Sequence, residues 1–453
     1  MAVRLSSVLR SAASAPFADP SRPRVVILGT GWASFRVLRD MDCAKYSVSV
    51  ISPRNHLLFT PMLASSAVGT VNQRSICQPV RPEVARKGAR YYESRVTAID
   101  KVAKKVHCES NLGTQYSLPY DKLVVGVGFQ PNDFGVPGVK EHAHFMKETA
   151  DAGRFKDHVL EKLEEASYMH AVDSQMDVST AEEAQMRKAL TFVIVGGGPT
   201  GVELAAELTD FLHKEGAKQY GHLKKYVSVH MFTYDVLAPF DKHIQDYAVG
   251  HLIKKQGVHM TLNAIVKKVE KEKIFVKTEG GSGPEISIEY GTLVWCAGIK
   301  PHTFVSKLDV CLDDTQRQIL VDSRLQVKGE EDIFALGDCA TIQGYPLPQT
   351  AQVAKQEGMY LARYFNKGMP DEHPPFKFQS LGMMAYLGGN NAVMAKLPGV
   401  SNITGFIAFM GWRWVYWGLQ LSIRNRYMLS TDWLRTLVFG RDLTRFGPPS
   451  NPT

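Results

Sequence analysis

The sequence contains the same strand–turn–helix pattern twice. In RVVILGTGWASFRVL, a β-branched run leads into Gly29 and Gly31 and then into helix-forming residues. In TFVIVGGGPTGVELAAEL, the same order recurs around Gly196, Gly198 and Gly201. Such a turn lets the backbone approach a pyrophosphate at the positive N-terminus of the helix. Each pattern therefore predicts a dinucleotide-binding fold.

The segments that follow each glycine turn also repeat. A second strand and short strands around a polar turn precede two closing strands, YDKLVVGVGFQP and YGTLVWCAGIKP. Gly31 precedes Gly128 by 97 residues, and Gly198 precedes Gly298 by 100. One glycine motif alone is weak support for nucleotide binding, but two in matching contexts indicate a duplicated fold. The predicted class is α/β with two Rossmann-like domains.

Composition limits the other classes of function. The chain is 44% hydrophobic and 22% charged, which is typical of a globular protein. Its six cysteines form no C-x-x-C pair, so no zinc or dithiol motif is predicted and a reducing compartment is favoured. The net charge of +8 does not indicate nucleic acid, because the chain has no recognised nucleic-acid motif.

Residues 1–20 have the composition of a mitochondrial transit peptide. They contain Arg4, Arg10 and four serines, with no acid before Asp19. The alternative is an N-terminus without defined structure.

The last 53 residues contain four of the six tryptophans: Trp412, Trp414, Trp417 and Trp433. The stretch 405–423 is almost long enough to span a bilayer, but Arg413 lies near its centre, at a cost of about 2.5–3.5 kcal/mol. Aromatic and arginine residues together favour amphipathic helices that lie on the membrane. A single span and a tryptophan-rich homodimer interface are the alternatives.

Two nucleotide sites in one chain favour a flavin that stays bound and a nicotinamide that visits. The motifs SPRNHLLFTPML, ALGDCAT and TAQVAKQEG accompany the glycine turns. Together they closely resemble the eukaryotic type II (alternative) NADH:quinone oxidoreductases, from about Arg24 to Phe446. The resemblance implies FAD-mediated oxidation of NADH and two-electron reduction of a ubiquinone-type quinone. It also implies peripheral, monotopic association with the mitochondrial inner membrane; no proton pumping is expected.

These cofactors give the predicted domains. They are a transit peptide at 1–20, a first part of the FAD domain with a helical linker at 22–186, an NAD(P)H domain at 187–302, a second part of the FAD domain with a quinone-site helix at 303–400, and membrane-associated helices at 401–453.

The resemblance implies a set of FAD-binding residues. They are Gly29, Gly31, Ala33, Ser52, Arg54, Thr60, Pro61, Gly128, Gly337 and Asp338. Ser52 stands where many such folds have a ribose-binding acid, and Arg54 can bond the adenosine end. Thr60 and Pro61 lie beside the isoalloxazine in the family, and Asp338 accepts hydrogen bonds from the ribityl hydroxyls.

On the nicotinamide side the implied residues are Gly196, Gly198, Gly201, Thr233, Ala297 and Gly298. Thr233 stands where the family has an acid that binds the adenosine ribose. Asp235 is an alternative carboxylate, displaced by a shortened loop. Without a carboxylate, affinity for NADH weakens or the discrimination against NADPH relaxes, so the choice of coenzyme stays open.

Three further residues are the predicted catalytic set: Glu203, Gln352 and Gln356. Glu203 resembles a family glutamate near the flavin–nicotinamide junction. Gln352 and Gln356 are four apart, so they share one face of a helix that lines the quinone passage in the family. Lys355 replaces a histidine found in many relatives, so the proton donor stays unassigned.

Two alternative functions remain from the sequence. Sulfide:quinone oxidoreductase would need a redox cysteine pair, for which Cys296 and Cys339 are candidates, although the intact second glycine motif argues against it. A catalytically weak structural or signalling flavoprotein is supported only by Thr233 and its shortened loop.

Overall fold

The computed structural model describes residues 21–173, 180–315, 317–397, 399 and 402–445. The transit-peptide prediction for residues 1–20 therefore lies outside the described residues. Contacts divide the chain into two compact units. The first unit comprises Met1–Leu58, Cys77–Gln130 and Ile299–Gln379, and the second comprises Phe59–Ile76, Pro131–Gly298 and Ser380–Thr453.

The first unit is built on a seven-stranded sheet. In order across the sheet its strands are Ile333–Ala335, Lys122–Val125, Arg24–Leu28, Ser47–Ser52, Arg90–Asp100, Lys105–Ser110 and Gln115–Pro119. The first five run parallel, and the last two extend the sheet as an antiparallel arm. The glycine-turn strand lies within the parallel part, where its apolar residues Val25, Val26 and Ile27 are buried.

The remaining elements of the first unit surround this sheet. The helices are Trp32–Asp40, Val80–Lys87, Thr303–Ser306 and Ala351–Asn366, with a 3₁₀ turn at Gly337–Cys339. The short strands are His56–Leu58, Cys77–Pro79, Phe129–Pro131, Ile299–Pro301, Ile319–Val321 and Ala340–Ile342. Helix Ala351–Asn366 packs against Trp32–Asp40, the helix that follows the first glycine turn.

The second unit repeats this plan with a five-stranded parallel sheet. In order its strands are His144–Phe145, Thr292–Trp295, Thr191–Gly197, Ser228–Val236 and His259–Thr261. Two antiparallel three-stranded sheets accompany it: Ile265–Val269, Lys273–Lys277 and Glu285–Glu289, and Met383–Gly388, Asn391–Ala395 and Ile403–Gly405.

Helices cover the second unit. The α-helices are Leu63–Ala67, Val139–His142, Thr149–Asp173, Thr180–Ala189, Pro199–Phe211, Ala217–Gln219, Lys242–Lys254, Phe406–Leu419 and Ile423–Phe439. The 3₁₀ turns are Thr60–Met62, Gln73–Ile76, Gly221–Tyr226 and Glu279–Gly281, and Leu212–Gly216 is a π-helical turn.

Strand register confirms the duplicated dinucleotide-binding fold. Leu28, at the end of the first glycine-turn strand, lies opposite Ile51 and Val125. Val195 holds the same place in the second sheet, opposite Phe232 and Trp295. Residues that follow these positions are therefore equivalent between the two units.

The C-terminal segment forms two helices rather than one long one. The stretch 405–423 is divided because helix Phe406–Leu419 ends before Gln420 and a new helix begins at Ile423. Within the residues that the structure describes, no helix combines the length and the hydropathy needed to cross a membrane.

The compact units differ from the predicted domains at several boundaries. Phe59–Ile76 and the segment 131–186, both predicted within the first part of the FAD domain, belong to the second unit. The first unit ends at Gln379 rather than at 400, because strand Met383–Gly388 packs against helix Pro199–Phe211 of the second unit. The domain bounds follow the cofactors rather than the contacts, and they stay a prediction.

Candidate functional site

The first glycine turn presents an uncapped helix end. Gly29 has φ +96°, a conformation that glycine adopts without strain. Gly31 is the N-cap of helix Trp32–Asp40, and among the described residues no side chain caps it and its first turn holds no acid. The backbone N–H groups of the first turn and the positive end of the helix fit a pyrophosphate.

Hydroxyl groups tie the second strand of the first unit to this turn. The Ser52 hydroxyl lies 3.1 Å from that of Thr30 and accepts the backbone N–H of Arg54 at 3.2 Å. The Thr30 hydroxyl donates to the Arg54 carbonyl at 2.8 Å. Ser52 is buried, so it shapes the turn, and the half-buried Arg54 side chain is the nearest cation along the chain.

The Asp338 turn rests on a buried glutamate that sequence reasoning missed. Glu357 accepts the backbone N–H of Gly337 at 2.6 Å, and Gln318 donates its amide to the Asp338 carbonyl at 3.0 Å. Burial raises the pKa of Glu357 to about 8. The available signal was its spacing: Glu357 follows the buried Val353 by four residues, so this face of the helix places an acid in the core.

Helix Ala351–Asn366 carries both predicted quinone-site glutamines. Gln352 and Gln356 are partly exposed on one face, as predicted. The Gln356 amide is already engaged, donating to the Gln379 carbonyl at 2.8 Å and accepting from its N–H at 3.0 Å. Burial, aided by nearby arginines, lowers the pKa of Lys355 on the same helix.

The second glycine turn has the same construction. Gly196 has φ +111°, and a Cβ there would lie 2.9 Å from the Cys296 carbonyl oxygen. Gly198 is the N-cap of helix Pro199–Phe211, where again no described side chain forms a cap and the first turn holds no acid. A second pyrophosphate fits this helix end for the same physical reason. Gly201 lies one turn into the helix and is buried against the glycine strand.

Thr233 is turned away from solvent. Its side chain is 6% exposed, and its hydroxyl donates to the Asp235 carbonyl at 2.7 Å. The side chains of Tyr234 and Asp235 are exposed instead. These contacts do not favour Thr233 as a ligand of the coenzyme, and they leave the Asp235 carboxylate accessible.

The other predicted residues lie at the ends of strands or helices. Gly128 and Gly298 follow the two closing strands, with φ of +69° and +68°. Ala297 packs against the core of the second unit. Thr60 and Pro61 begin a 3₁₀ turn of the second unit. Ala33, Gly337 and Asp338 all belong to the first unit.

Helix Pro199–Phe211 also carries a row of buried acids. Glu203, Glu207 and Asp210 are spaced by four and three residues, so they share one face. Glu203 accepts the Tyr386 backbone N–H at 3.2 Å. Burial raises the pKa of Glu203 to about 8, so its carboxyl is largely protonated at neutral pH.

The cysteines offer no redox pair. All six are free. Burial raises the pKa of Cys296 to about 12 and that of Cys339 to about 11. Both are therefore thiols at neutral pH, whereas a reactive cysteine needs a thiolate.

Two glycine turns on duplicated parallel sheets define an oxidoreductase of the two-dinucleotide class. Residues 23–358 match the pyridine nucleotide-disulphide oxidoreductase family, and residues 381–442 match the NDH2 C-terminal domain. Together these matches and the relatives below place the chain in the family of type II NADH:quinone oxidoreductases, whose cofactors are FAD and NAD(P)H.

The relatives match over nearly the whole chain. The internal alternative NAD(P)H-ubiquinone oxidoreductase A1, mitochondrial, of Arabidopsis thaliana is 36% identical, over 95% of this chain and 87% of its own length. The external NADH-ubiquinone oxidoreductase 2, mitochondrial, of Saccharomyces cerevisiae is 34% identical, over 93% of this chain and 82% of its own length.

Solved structures match the fold. The structure of NDH2 from Plasmodium falciparum in complex with NADH has a TM-score of 0.87 and 25% identity, covering 93% of this chain and all of that one. Sulfide:quinone oxidoreductase from Aquifex aeolicus has a TM-score of 0.67 at 17% identity, which shows a common fold alone.

Proposed function

We propose that the chain oxidises NADH and reduces a ubiquinone-type quinone by two electrons, through one bound FAD. The observation that carries the proposal is the pair of uncapped, glycine-started helices, Trp32–Asp40 and Pro199–Phe211, each following a parallel strand. When bound, FAD supplies the two-electron chemistry that links the nicotinamide to the quinone. The protein residues bind the two dinucleotides, orient the quinone and hold protons.

On the FAD side, the helix that starts after Gly31 binds the diphosphate and Arg54 bonds the adenosine end. Asp338 accepts hydrogen bonds from the ribityl chain, and Glu357 positions its turn through the Gly337 N–H at 2.6 Å. Glu203, with its raised pKa, keeps a proton on its carboxyl within the second unit. Gln352, which shares one face of its helix with Gln356, orients the quinone.

Strand Ser228–Val236 favours NADH over NADPH as the coenzyme. The exposed Asp235 carboxylate follows the strand position of Thr233 by two residues and can accept hydrogen bonds from the adenosine ribose hydroxyls. The same charge repels a 2′-phosphate, so NADPH binds less well. Asp235 therefore takes the place of the acid that the family carries at Thr233.

The C-terminal helices are proposed to lie on a mitochondrial membrane. Phe406, Ile407, Met410 and Trp414 are exposed with helical spacing on the first helix. The second helix exposes Ile423, Tyr427, Leu434, Leu437, Val438 and Phe439. Such a surface suits the acyl–headgroup boundary, and the Arabidopsis and yeast relatives are mitochondrial by name. A second copy of the chain is the alternative cover for this face.

Steady-state assays of the purified full chain test this function. NADH should reduce a short-chain ubiquinone, NADPH should do so with a KM at least about tenfold higher, and sulfide should not serve as donor. A C296S/C339S double variant should keep the NADH activity. Sulfide-driven quinone reduction that this variant abolishes would overturn the proposal.

A further inference from the structure

The second unit contains a cavity that the proposed reaction does not use. Its volume is about 390 Å³, and it lies between helix Pro199–Phe211, the following π-helical turn and the two C-terminal helices. One part of its lining, the charged wall, is buried, and another part, the apolar rim, is exposed. A cavity of this size accepts a small organic group.

The acids of the charged wall are satisfied from within the protein. Glu207 accepts from Ser65 and Thr70 at 2.6 and 2.7 Å. Arg441 pairs with Glu207 at 3.2 Å and with Glu215 at 2.7 Å. The third acid, Asp210, accepts the Tyr386 hydroxyl at 2.5 Å and the backbone N–H of Gly389 at 2.9 Å. These carboxylates therefore have little capacity left for a cationic ligand.

Three cations that line the cavity, unlike its acids, are not neutralised by ion pairs among the described residues. The Arg413 guanidinium stacks over the rings of Phe409 and Trp433, at 4.8 and 4.9 Å. Its Nε is buried without a hydrogen-bond partner, and no carboxylate of the described residues lies within 4.0 Å of it. Lys214 and Lys218 line the same cavity and are exposed, also with no ion pair in the described part of the chain. The charge left uncompensated is positive.

The apolar rim supplies a second recognition element. Leu437, Val438 and Phe439 line the cavity and are 81%, 61% and 82% exposed. They form the end of the exposed apolar face of helix Ile423–Phe439. A ligand that uses both walls must carry an anionic group and an apolar chain.

We propose that this cavity binds the head group of an anionic phospholipid, with its acyl chains on Leu437, Val438 and Phe439. Arg413, Lys214 and Lys218 are the cations for the phosphate, because guanidinium and ammonium groups are the usual phosphate partners. A quinone carries no charge for these groups, and a zwitterionic lipid gains less from them.

Isothermal titration with short-chain lipids below their micelle concentration tests the site without a membrane. The full-length flavoprotein should bind dihexanoyl-phosphatidylglycerol at least about tenfold tighter than dihexanoyl-phosphatidylcholine. The K214Q/K218Q variant should lose about tenfold of that affinity, and R413Q more, with partial recovery in R413K. A matched control, K224Q/K225Q, removes two exposed lysines outside the cavity and should stay within about twofold of wild type.

Three results would contradict the proposal. Equal affinity for the two lipids would show that the cations do not select charge. Equal loss in K224Q/K225Q would show that only net charge matters. Binding of inorganic phosphate as tight as that of phosphatidylglycerol would show an anion site without a lipid. The titration needs neither quinone nor NADH, so a failure of lipid binding leaves the proposed reaction untouched. Conversely, normal lipid binding by a protein that does not oxidise NADH would contradict the proposed reaction and leave the lipid site intact.

Discussion

The two glycine turns make the same backbone bend but are supported by different side chains. At the third motif position the second turn has Gly201, packed against the backbone of its own strand. The first turn has Ser34, whose hydroxyl donates to the carbonyls of Leu28 and Gly126 at 2.9 and 3.2 Å. A small residue is therefore required at this position, and a serine is tolerated where carbonyl groups can receive its proton.

The second strands of the two units differ in a more informative way. By register, Ser52 and Thr233 are equivalent, and both are buried hydroxyl residues rather than acids. Two residues further on, the first unit has Arg54 and the second has Asp235. The backbone turn identifies a nucleotide site, and the charge beside it distinguishes the two ligands.

The largest expected effect comes from adding one methyl group to either turn. Gly29→Ala and Gly196→Ala both place a side chain at positive φ against backbone atoms, at a cost of about 1–3 kcal/mol before any clash. Gly29→Ala should lose most of its FAD on purification. Gly196→Ala should stay yellow, and its flavin should be reduced about a hundredfold more slowly at low NADH.

Flavin content by absorbance and stopped-flow reduction measure the two effects separately. If Gly196→Ala purified colourless and Gly29→Ala kept its flavin, the assignment of ligands to the two turns would be reversed.

The charges beside the turns should act on one ligand each. Asp235→Asn should raise KM for NADH about tenfold and leave kcat nearly unchanged, because it removes ribose hydrogen bonds made equally in ground and transition states. The Asp235→Asn variant should also show a smaller preference for NADH over NADPH. Arg54→Gln should instead weaken FAD retention. An effect of Asp235→Asn on FAD content, with KM unchanged, would contradict this division.

Each unit buries one glutamate whose pKa is raised to about 8, Glu203 in the second and Glu357 in the first. Such a group contributes stability that is complete below its ordinary pKa of 4.5 and is lost as pH rises through about 8. The Tm of the wild-type protein should therefore fall as the pH rises from about 5 to about 8. Glu203→Gln and Glu357→Gln should each flatten this slope, and the exposed Glu285→Gln should not. If the fall of Tm with pH were unchanged in both variants, the titration of Glu203 and Glu357 would not be its cause.

The smallest expected effect concerns the third motif position. Ser34→Ala removes the hydroxyl bonded to Leu28 and Gly126, at a cost of about 1 kcal/mol in the free energy of unfolding. FAD should be retained, because the backbone turn is unchanged. Chemical denaturation of the flavoprotein measures the difference. A loss of more than about 3 kcal/mol, or loss of FAD, would show that the hydroxyl does more than fill the position.

The repeated fold was predictable because it depends on local patterns. A β-branched run, glycines at fixed spacing and a helix-forming run each report backbone geometry directly. The two closing strands followed because their glycines, Gly128 and Gly298, recur at nearly the same distance from the turns. The named site residues came from a family resemblance, and their roles stay predictions.

What the sequence could not supply are properties that depend on contacts distant in the chain. The inward orientation of Thr233 depends on its hydrogen bond to the Asp235 carbonyl within strand Ser228–Val236, not on its residue type. Arg441 meets Glu207 across 234 residues. The break at Gln420 does not show in the hydropathy of the segment, because hydropathy does not report a helix end. The local signal for it was Ser422, whose side chain caps the next helix.

Anaerobic addition of NADH to the purified, yellow protein is the most direct test of the central claim, which is that one turn holds FAD and the other admits NADH. The account predicts that the flavin absorbance bleaches with about one equivalent of NADH and returns when a short-chain ubiquinone is added. A wild-type protein that holds FAD but whose flavin stays oxidised in excess NADH would contradict it.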